Sequence, residues 1–298
     1  MPSSMDKPGM PSPGERLQEL ATAFKLPTVA REIYNRFVDA GQAEALETLV
    51  EVFEMEAQDR RERRVDRLRR ASGLPPAKTF ETLKLQRLPR KLAHTLQELA
   101  RGDFIDRAEN ILAFGRPGVG KTHAACAIGH ALVNRGRSVL YQPTFRLVQD
   151  LLVAKRDLQL PRALRRLDLF DVLLLDDIGY VQQNADEVEV LFTLMAERYE
   201  RRSMIITSNL LFSQWDQIFK NPMTTAAAID RAVHHAIILE FNVKSYRAEE
   251  AEGRLQMSSN DDDDKTDDHS DGGTGPLSGC DHHDEVGGDN TPTASEEA

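Results

Sequence analysis

Cysteine is scarce. The 298 residues contain two, Cys126 and Cys280. The first falls in an apolar helical pattern and the second in a polar, acidic stretch, so a disulfide framework is not expected. Long apolar runs are missing too. No window approaches the roughly 18 continuous apolar residues that mark a membrane-spanning helix. The opening residues, Met1-Pro2-Ser3-Ser4-Met5-Asp6-Lys7-Pro8-Gly9-Met10, hold no apolar core of signal length. Neither secretion nor a membrane span is expected, and the cytoplasm is the expected compartment.

A strong charge of one sign is also absent from most of the chain. The formal net charge is −10, yet Met257–Ala298 alone holds thirteen Asp/Glu and one Lys, a net of −12. The first 256 residues therefore carry +2. Residues 256–298 read as a disordered acidic tail, low in apolar residues and rich in Gly, Ser and Thr. Within it, Asp261-Asp262-Asp263-Asp264-Lys265 reads either as a cloned protease site or as acidic low complexity. Cys280-Asp281-His282-His283 lacks partners at metal-ligand spacing.

What is present is enough chain for more than one domain. Residues 1–14, rich in Pro, Ser and Gly, are expected to be loose. Residues 15–91 read as a helical N-terminal domain. Leu17, Leu20, Ala21 and Phe24 mark one helix that Pro27 ends. Val29, Ile33, Phe37 and Val38 mark a second, ending near Gly41. Leu46, Leu49, Val50, Phe53, Ala57, Val65 and Leu68 mark a longer third.

The charges of this region are sorted. Residues 44–59 carry six acids and no base, whereas residues 60–91 carry 12 Lys/Arg against Glu62, Asp66 and Glu81. The basic segment is the best candidate surface for a nucleic-acid backbone, which it would bind by counterion release without reading sequence. The plainer alternative is a solvated helix face with pairs such as Glu56 and Arg60.

Residues 92–255 read as an α/β domain with a parallel five-stranded sheet and helices on both faces. The expected strands are 110–114, 138–142, 170–175, 203–207 and 236–241. The expected helices are 121–134, 145–155, 161–167, 187–201 and 223–234, with a linker helix over 90–101.

The most informative stretch is Gly115-Arg116-Pro117-Gly118-Val119-Gly120-Lys121-Thr122, which fits the phosphate-binding loop G-x-x-x-x-G-K-[ST] between an expected strand and an expected helix. Glycines allow backbone angles that turn successive N–H groups toward phosphate oxygens, and a helix N-terminus adds positive potential. Lys121 can reach the β- and γ-phosphates of ATP, and the Thr122 hydroxyl can hold Mg2+. The plainer alternative is a Gly-rich turn.

Two further strand ends carry polar groups. Val172-Leu173-Leu174-Leu175-Asp176-Asp177 delivers two carboxylates to the end of the sheet nearest that loop. Asp176 suits Mg2+ coordination, and Asp177 suits orienting or deprotonating an attacking water. In Met204-Ile205-Ile206-Thr207-Ser208-Asn209, Asn209 would stand beside the γ-phosphate. Ordinary strand-exit turns are the plainer alternative for both.

With these motifs in place, the chain resembles the AAA+ ATPases of the IstB-like group. These are helper proteins of insertion-sequence transposition, related to the DnaC helicase loaders. The resemblance covers Glu15 to Leu255 and includes Ile206-Thr207-Ser208-Asn209-Leu210, Phe212-Ser213-Gln214-Trp215, Asp230-Arg231 with His234-His235, and Ser245-Tyr246-Arg247. It implies that Arg231 is an arginine finger entering a neighbouring subunit's site, and that Arg247 is a sensor-II-like arginine in its own subunit. Without the resemblance, each arginine reads as a surface ion pair. His234 and His235 read either as metal ligands or as a helix end packed on the sheet.

The resemblance further implies ATP-dependent, head-to-tail assembly of a homo-oligomer, ring or filament, on duplex DNA, with a transposase as partner. A replicative helicase as partner, or a small-molecule kinase instead, are the rival readings. Asp177 stands where many AAA+ enzymes have Glu, which implies slow turnover.

Overall fold

The computed structural model describes residues 11–180, 185–210, 214–215 and 222–246, all within a unit that spans Met1–Ala251. Helix α1 (Pro13–Ala23) starts inside the stretch expected to be loose. The Ser12 hydroxyl accepts from the Glu15 N–H, the Glu15 carboxylate accepts from the Ser12 N–H, and Pro13 stands at the first helical position. Helices α2 (Pro27–Asp39) and α3 (Ala45–Ser72) follow. Leu17, Leu20, Ala21 and Leu46 form the buried centre of this bundle, and the Phe24 and Phe53 rings stack at 5.6 Å.

Helix α3 does two jobs along its length. Its acidic first half pairs with α1, where Arg16 meets Glu54 at 3.0 Å. Its basic second half lies on the α/β core, with Val65 and Leu68 packed against the core's first hydrophobic cluster. Arg64 donates to the Gly136 carbonyl at 3.2 Å, and Arg69 donates to Asn134 at 3.0 Å and to Asp66 at 2.9 Å. Arg60 pairs with Glu56 and covers the Phe24 ring, and Arg63 pairs with Asp59 and Glu56. Several arginines of the expected nucleic-acid surface are thus neutralised locally or brace the helix on the core.

After α4 (Arg90–Leu99) and the short α5 (Asp103–Asp106), strands and helices alternate. Their order is β1 (Asn110–Gly115), α6 (Lys121–Asn134), β2 (Val139–Pro143), α7 (Thr144–Arg156), α8 (Leu160–Leu167), β3 (Val172–Asp176), α9 (Ala185–Arg198), β4 (Ser203–Ser208), α10 (Pro222–Val233) and β5 (Ala236–Phe241). The five strands form one parallel sheet in the order β2-β3-β4-β1-β5. The expected helix over 187–201 ends earlier, at Arg198, because Glu200 takes the left-handed conformation at φ 55 and turns the chain into β4.

The apolar strands sort by alternation. Ile111, Ala113, Val172, Leu174 and Ile205 face one side, where α4 and α6 cover them. Leu112, Phe114, Leu173, Leu175, Met204 and Ile206 face the other, under α7, α9 and the fully buried Trp215. At the start of β1, buried Asn110 accepts from the Met204 N–H and donates to the Ala232 carbonyl, tying β4 and α10 to the central strand.

Sequence reading passes over Arg198. This arginine is 1% exposed, and its guanidinium donates to the carbonyls of Leu167, Phe170, Asp171 and Ser203 at 3.0–3.3 Å. Burial pulls it down to about 10, with Asp168 opposing, so it stays charged at neutral pH. One side chain thereby joins the end of α8, the approach to β3 and the start of β4. Arg198→Leu strands four carbonyls and should destabilise the protein by about 3–5 kcal/mol. Urea unfolding followed by circular dichroism measures this, and a loss below about 1 kcal/mol would contradict the assignment.

Candidate nucleotide site

The site is built where β1, β3 and β4 end. Between β1 and α6 the chain must turn sharply and pass close to β5. A Cβ on Gly115 would meet the Phe241 carbonyl oxygen at 2.8 Å, and Gly120 holds φ 98 immediately before the helix. Val119 is wholly buried and anchors the loop in the core, while Arg116 and Pro117 are exposed on its outer side. Lys121, only 6% exposed, folds back over the loop and donates to the carbonyls of Gly115 and Arg116 at 2.7 and 2.9 Å.

The Asp176 carboxylate is held by three hydroxyls. Thr122 and Thr207 both donate to Oδ1 at 2.7 Å, and Tyr141 donates to Oδ2 at 3.0 Å. Burial and the neighbouring Asp176 charge push the Tyr141 phenol well above its usual range, so it remains a protonated donor. The Thr144 hydroxyl, at the start of α7, donates to the Asp176 carbonyl at 2.9 Å.

Asp177 adopts φ 62, a left-handed conformation that Asp takes more readily than most residues. Its N–H donates to the Thr207 hydroxyl at 2.8 Å, and its carboxylate accepts from Asn209 Nδ2 at 3.0 Å. Asn209 Oδ1 in turn accepts from Lys121 at 2.6 Å. One amide therefore joins the lysine of the glycine loop to the second carboxylate.

Gly118, Gly120, Lys121, Thr122, Asp177, Thr207 and Asn209 line a cavity of about 420 Å³ whose opposite wall is Lys78, Thr82, Leu83, Lys84 and Tyr246. That wall is pinned to α6. His123 bonds the Thr82 hydroxyl at 3.0 Å and the Thr79 carbonyl at 3.1 Å, and His130 bonds the Pro75 carbonyl at 3.0 Å. Burial lowers His123, which keeps its ring neutral at pH 7. Tyr246 donates its N–H to the Gly118 carbonyl at 3.0 Å, and the Arg87 guanidinium lies 4.0 Å over its ring. Cys126, deeper in α6, is no part of this chemistry, since burial pushes its thiol up to about 12.

Gly115 through Thr122, Asp176, Asp177 and Asn209 are thus brought together. Arg231 is not among the cavity residues. It lies in the last turn of α10, its guanidinium 4.8 Å over the Phe192 ring and donating to the Ala227 carbonyl at 3.1 Å. Arg247 lies outside the described residues. His234 bonds the Tyr199 hydroxyl at 2.7 Å, and its ring lies 4.0 Å from that of His235. Tyr141, Thr207, His123 and the 78–84 wall escape sequence reading. The polar residues Tyr141 and Gln142 at the end of an otherwise apolar strand were the available signal for the first.

The donor set suits a polyphosphate with a hard cation. A buried ammonium and a glycine-built loop suit anionic oxygens, and a hydroxyl beside a carboxylate offers the oxygen ligands Mg2+ prefers. Fold and site together define a P-loop ATPase of the AAA+ class. The sequence pattern of the family described as "IstB-like ATP binding protein" matches residues 16–253. An insertion sequence ATP-binding protein of Sinorhizobium fredii is 42% identical over 240 residues, 79% of this chain and 80% of that protein. The insertion sequence IS21 ATP-binding protein of Pseudomonas aeruginosa is 34% identical over 236 residues, covering 78% and 89% of the two chains. Among solved structures, AMPPCP-bound DnaA from Aquifex aeolicus superposes with a TM-score of 0.50 at 19% identity, over 63% of this chain and 57% of that one. The chain belongs to the IstB-like ATP-binding family.

Thr207 bonds the Asp176 carboxylate and the Asp177 N–H, and is the residue whose loss should disturb both positions together. Thr207→Val should weaken Mg2+-dependent ATP binding by about 10-fold or more, as loss of a group orienting a metal ligand does. A fluorescent ATP analogue titrated with and without Mg2+ checks this. Equal weakening in both titrations would contradict it.

Proposed function

We propose that this protein is an ATP-hydrolysing helper of insertion-sequence transposition that assembles on duplex DNA when ATP is bound and assists a transposase. The observation that carries this reading is the bonded chain Lys121–Asn209–Asp177, which connects the phosphate end of the cavity to a carboxylate suited to water. The names of the relatives support the insertion-sequence setting and favour a transposase over a helicase as the partner. Family membership leaves the small-molecule kinase alternative without support.

In this reading residues 15–91 are the helical domain, residues 92–255 the ATPase domain and residues 256–298 an appended acidic segment. The N–H groups of Gly118, Val119 and Gly120 and the Lys121 ammonium bind the phosphates, and the 78–84 wall with Tyr246 encloses the nucleoside. Thr122 and Asp176 would hold Mg2+, which supplies positive charge against the phosphate oxygens. Asp177 orients the attacking water and takes up its proton, and Asn209 keeps that carboxylate aimed. Asp reaches less far than Glu, so turnover is slow.

Arg231 leaves the Phe192 ring and completes the site of the next protomer, where its planar charge stabilises the transferring group. Arg247 senses the nucleotide within its own subunit. A contact of this heterologous kind closes into rings or continues as filaments.

Mixing experiments test the shared site. Lys121→Ala should abolish ATP-dependent assembly on duplex DNA in gel filtration, and Arg231→Ala should lose most hydrolysis. Mixed together, the two variants should recover part of the activity, the first lending its arginine to the second. Full activity of Arg231→Ala alone, or assembly by Lys121→Ala, would contradict the shared-site reading.

A further inference from the structure

Helix α8 exposes a row of arginines that the nucleotide site does not use. Arg162, Arg165 and Arg166 follow the i, i+3, i+4 spacing of one helix face, and all three are exposed. The opposite face, Leu160, Ala163, Leu164 and Leu167, packs on the second core cluster. Among the described residues none of the three guanidinium groups has an ionic or hydrogen-bonding partner. On α3, by contrast, Arg60, Arg63 and Arg69 are paired to acids of their own helix, while Arg61, Arg67 and Arg70 are exposed there as well.

The surroundings concentrate this charge. Residues 155–168 hold five Lys/Arg and two Asp, a net of +3, against +2 for the first 256 residues together. The nearby acids are already engaged. Asp157 accepts from Arg156 at 3.1 Å, Asp168 from Arg201 at 2.8 Å, and Asp186 and Glu189 from Lys155 at 2.8 Å. A leucine stands at each end of the row. Leu158 is 87% exposed at φ 57, and Leu169 is 76% exposed.

The row is also rigidly mounted. Arg198 fastens the last carbonyl of α8, and α7–α8 as a whole is spliced between β2 and β3. Those two strands supply Tyr141 and Asp176 to the nucleotide site.

We infer that this face of α8 is a contact for duplex DNA, resting on the reading that the protein assembles there. The arginines grip phosphates, for which the guanidinium fork is suited. The leucines bear on sugar and base edges at the two ends, as apolar side chains do in deformed grooves. A row of cations with every nearby acid occupied fits a continuous polyanion better than the mixed surface of a protein partner.

The test measures binding of a fluorescent 40-base-pair duplex to the full chain with a non-hydrolysable ATP analogue, over a salt series. Arg162→Ala/Arg165→Ala/Arg166→Ala should bind at least tenfold more weakly. Its plot of log affinity against log salt should be shallower by about 2–3 in slope, the loss expected for three phosphate contacts. The triple Lys variant should keep most of the slope, and Leu158→Ala/Leu169→Ala should lower affinity with the slope unchanged.

If the wild-type chain binds and the triple Ala variant matches it in affinity and slope, the α8 assignment alone falls. If the wild-type chain fails to bind duplex with nucleotide, the DNA reading falls with it. Loss of transposase contact with DNA binding intact would make α8 a protein interface and overturn the proposal. Nucleotide affinity and melting temperature report folding. Should the triple Ala variant melt early, Arg165→Glu alone carries the same measurement.

Discussion

The site depends on the three hydroxyls that converge on Asp176. A carboxylate at the end of a strand could point in several directions, and here Thr122, Thr207 and Tyr141 allow it one. Each hydroxyl comes from a different element: the first turn of α6, β4 and β2. Their meeting point exists only because β3 lies between β2 and β4 and because the glycine loop delivers α6 above them. The parallel sheet thereby aims a ligand as well as burying apolar surface. The two functions are hard to separate, because Leu173 and Leu175 fill one core cluster on the strand that ends in Asp176.

Much of this was legible in the sequence for local reasons. The glycine loop, the two acids after an apolar run and the polar exit at Asn209 are short patterns whose chemistry does not need a partner strand to be recognised. The strand positions were readable within a residue or two because parallel strands buried on both faces are continuous apolar runs. The residues missed are those whose role is defined by a neighbour far along the chain. Tyr141 and Thr207 are 35 and 31 positions from Asp176, and only the strand order makes them adjacent. Nothing local marks Arg198, whose four carbonyl partners come from three other segments.

Charge was the least legible property. The sequence displays a basic block over 60–91 and only scattered arginines in α8, yet part of the block is spent on internal contacts while the α8 arginines stay exposed. Arg64 and Arg69 fix α3 to the end of α6. Arg162, Arg165 and Arg166 project from a helix whose apolar side is committed elsewhere. Counting bases in a window measures potential at long range, whereas short-range pairing decides which cations remain free to meet another molecule.

The continuity of α3 has a mechanical corollary. At about 1.5 Å per residue its 28 residues make a rod roughly 42 Å long. One end is bolted to the helix that follows the glycine loop, and the other carries the small three-helix bundle. A tilt of about 5° at the bolted end would swing the far tip by roughly 4 Å, given that length. Gly73, whose left-handed φ of 65 closes the rod, leads directly into the segment whose Thr79 and Thr82 are held by His123. The foot of the rod is thus bonded, through Thr79 and Thr82, to the residue after Thr122, so the small bundle and the glycine loop hang on one continuous lever.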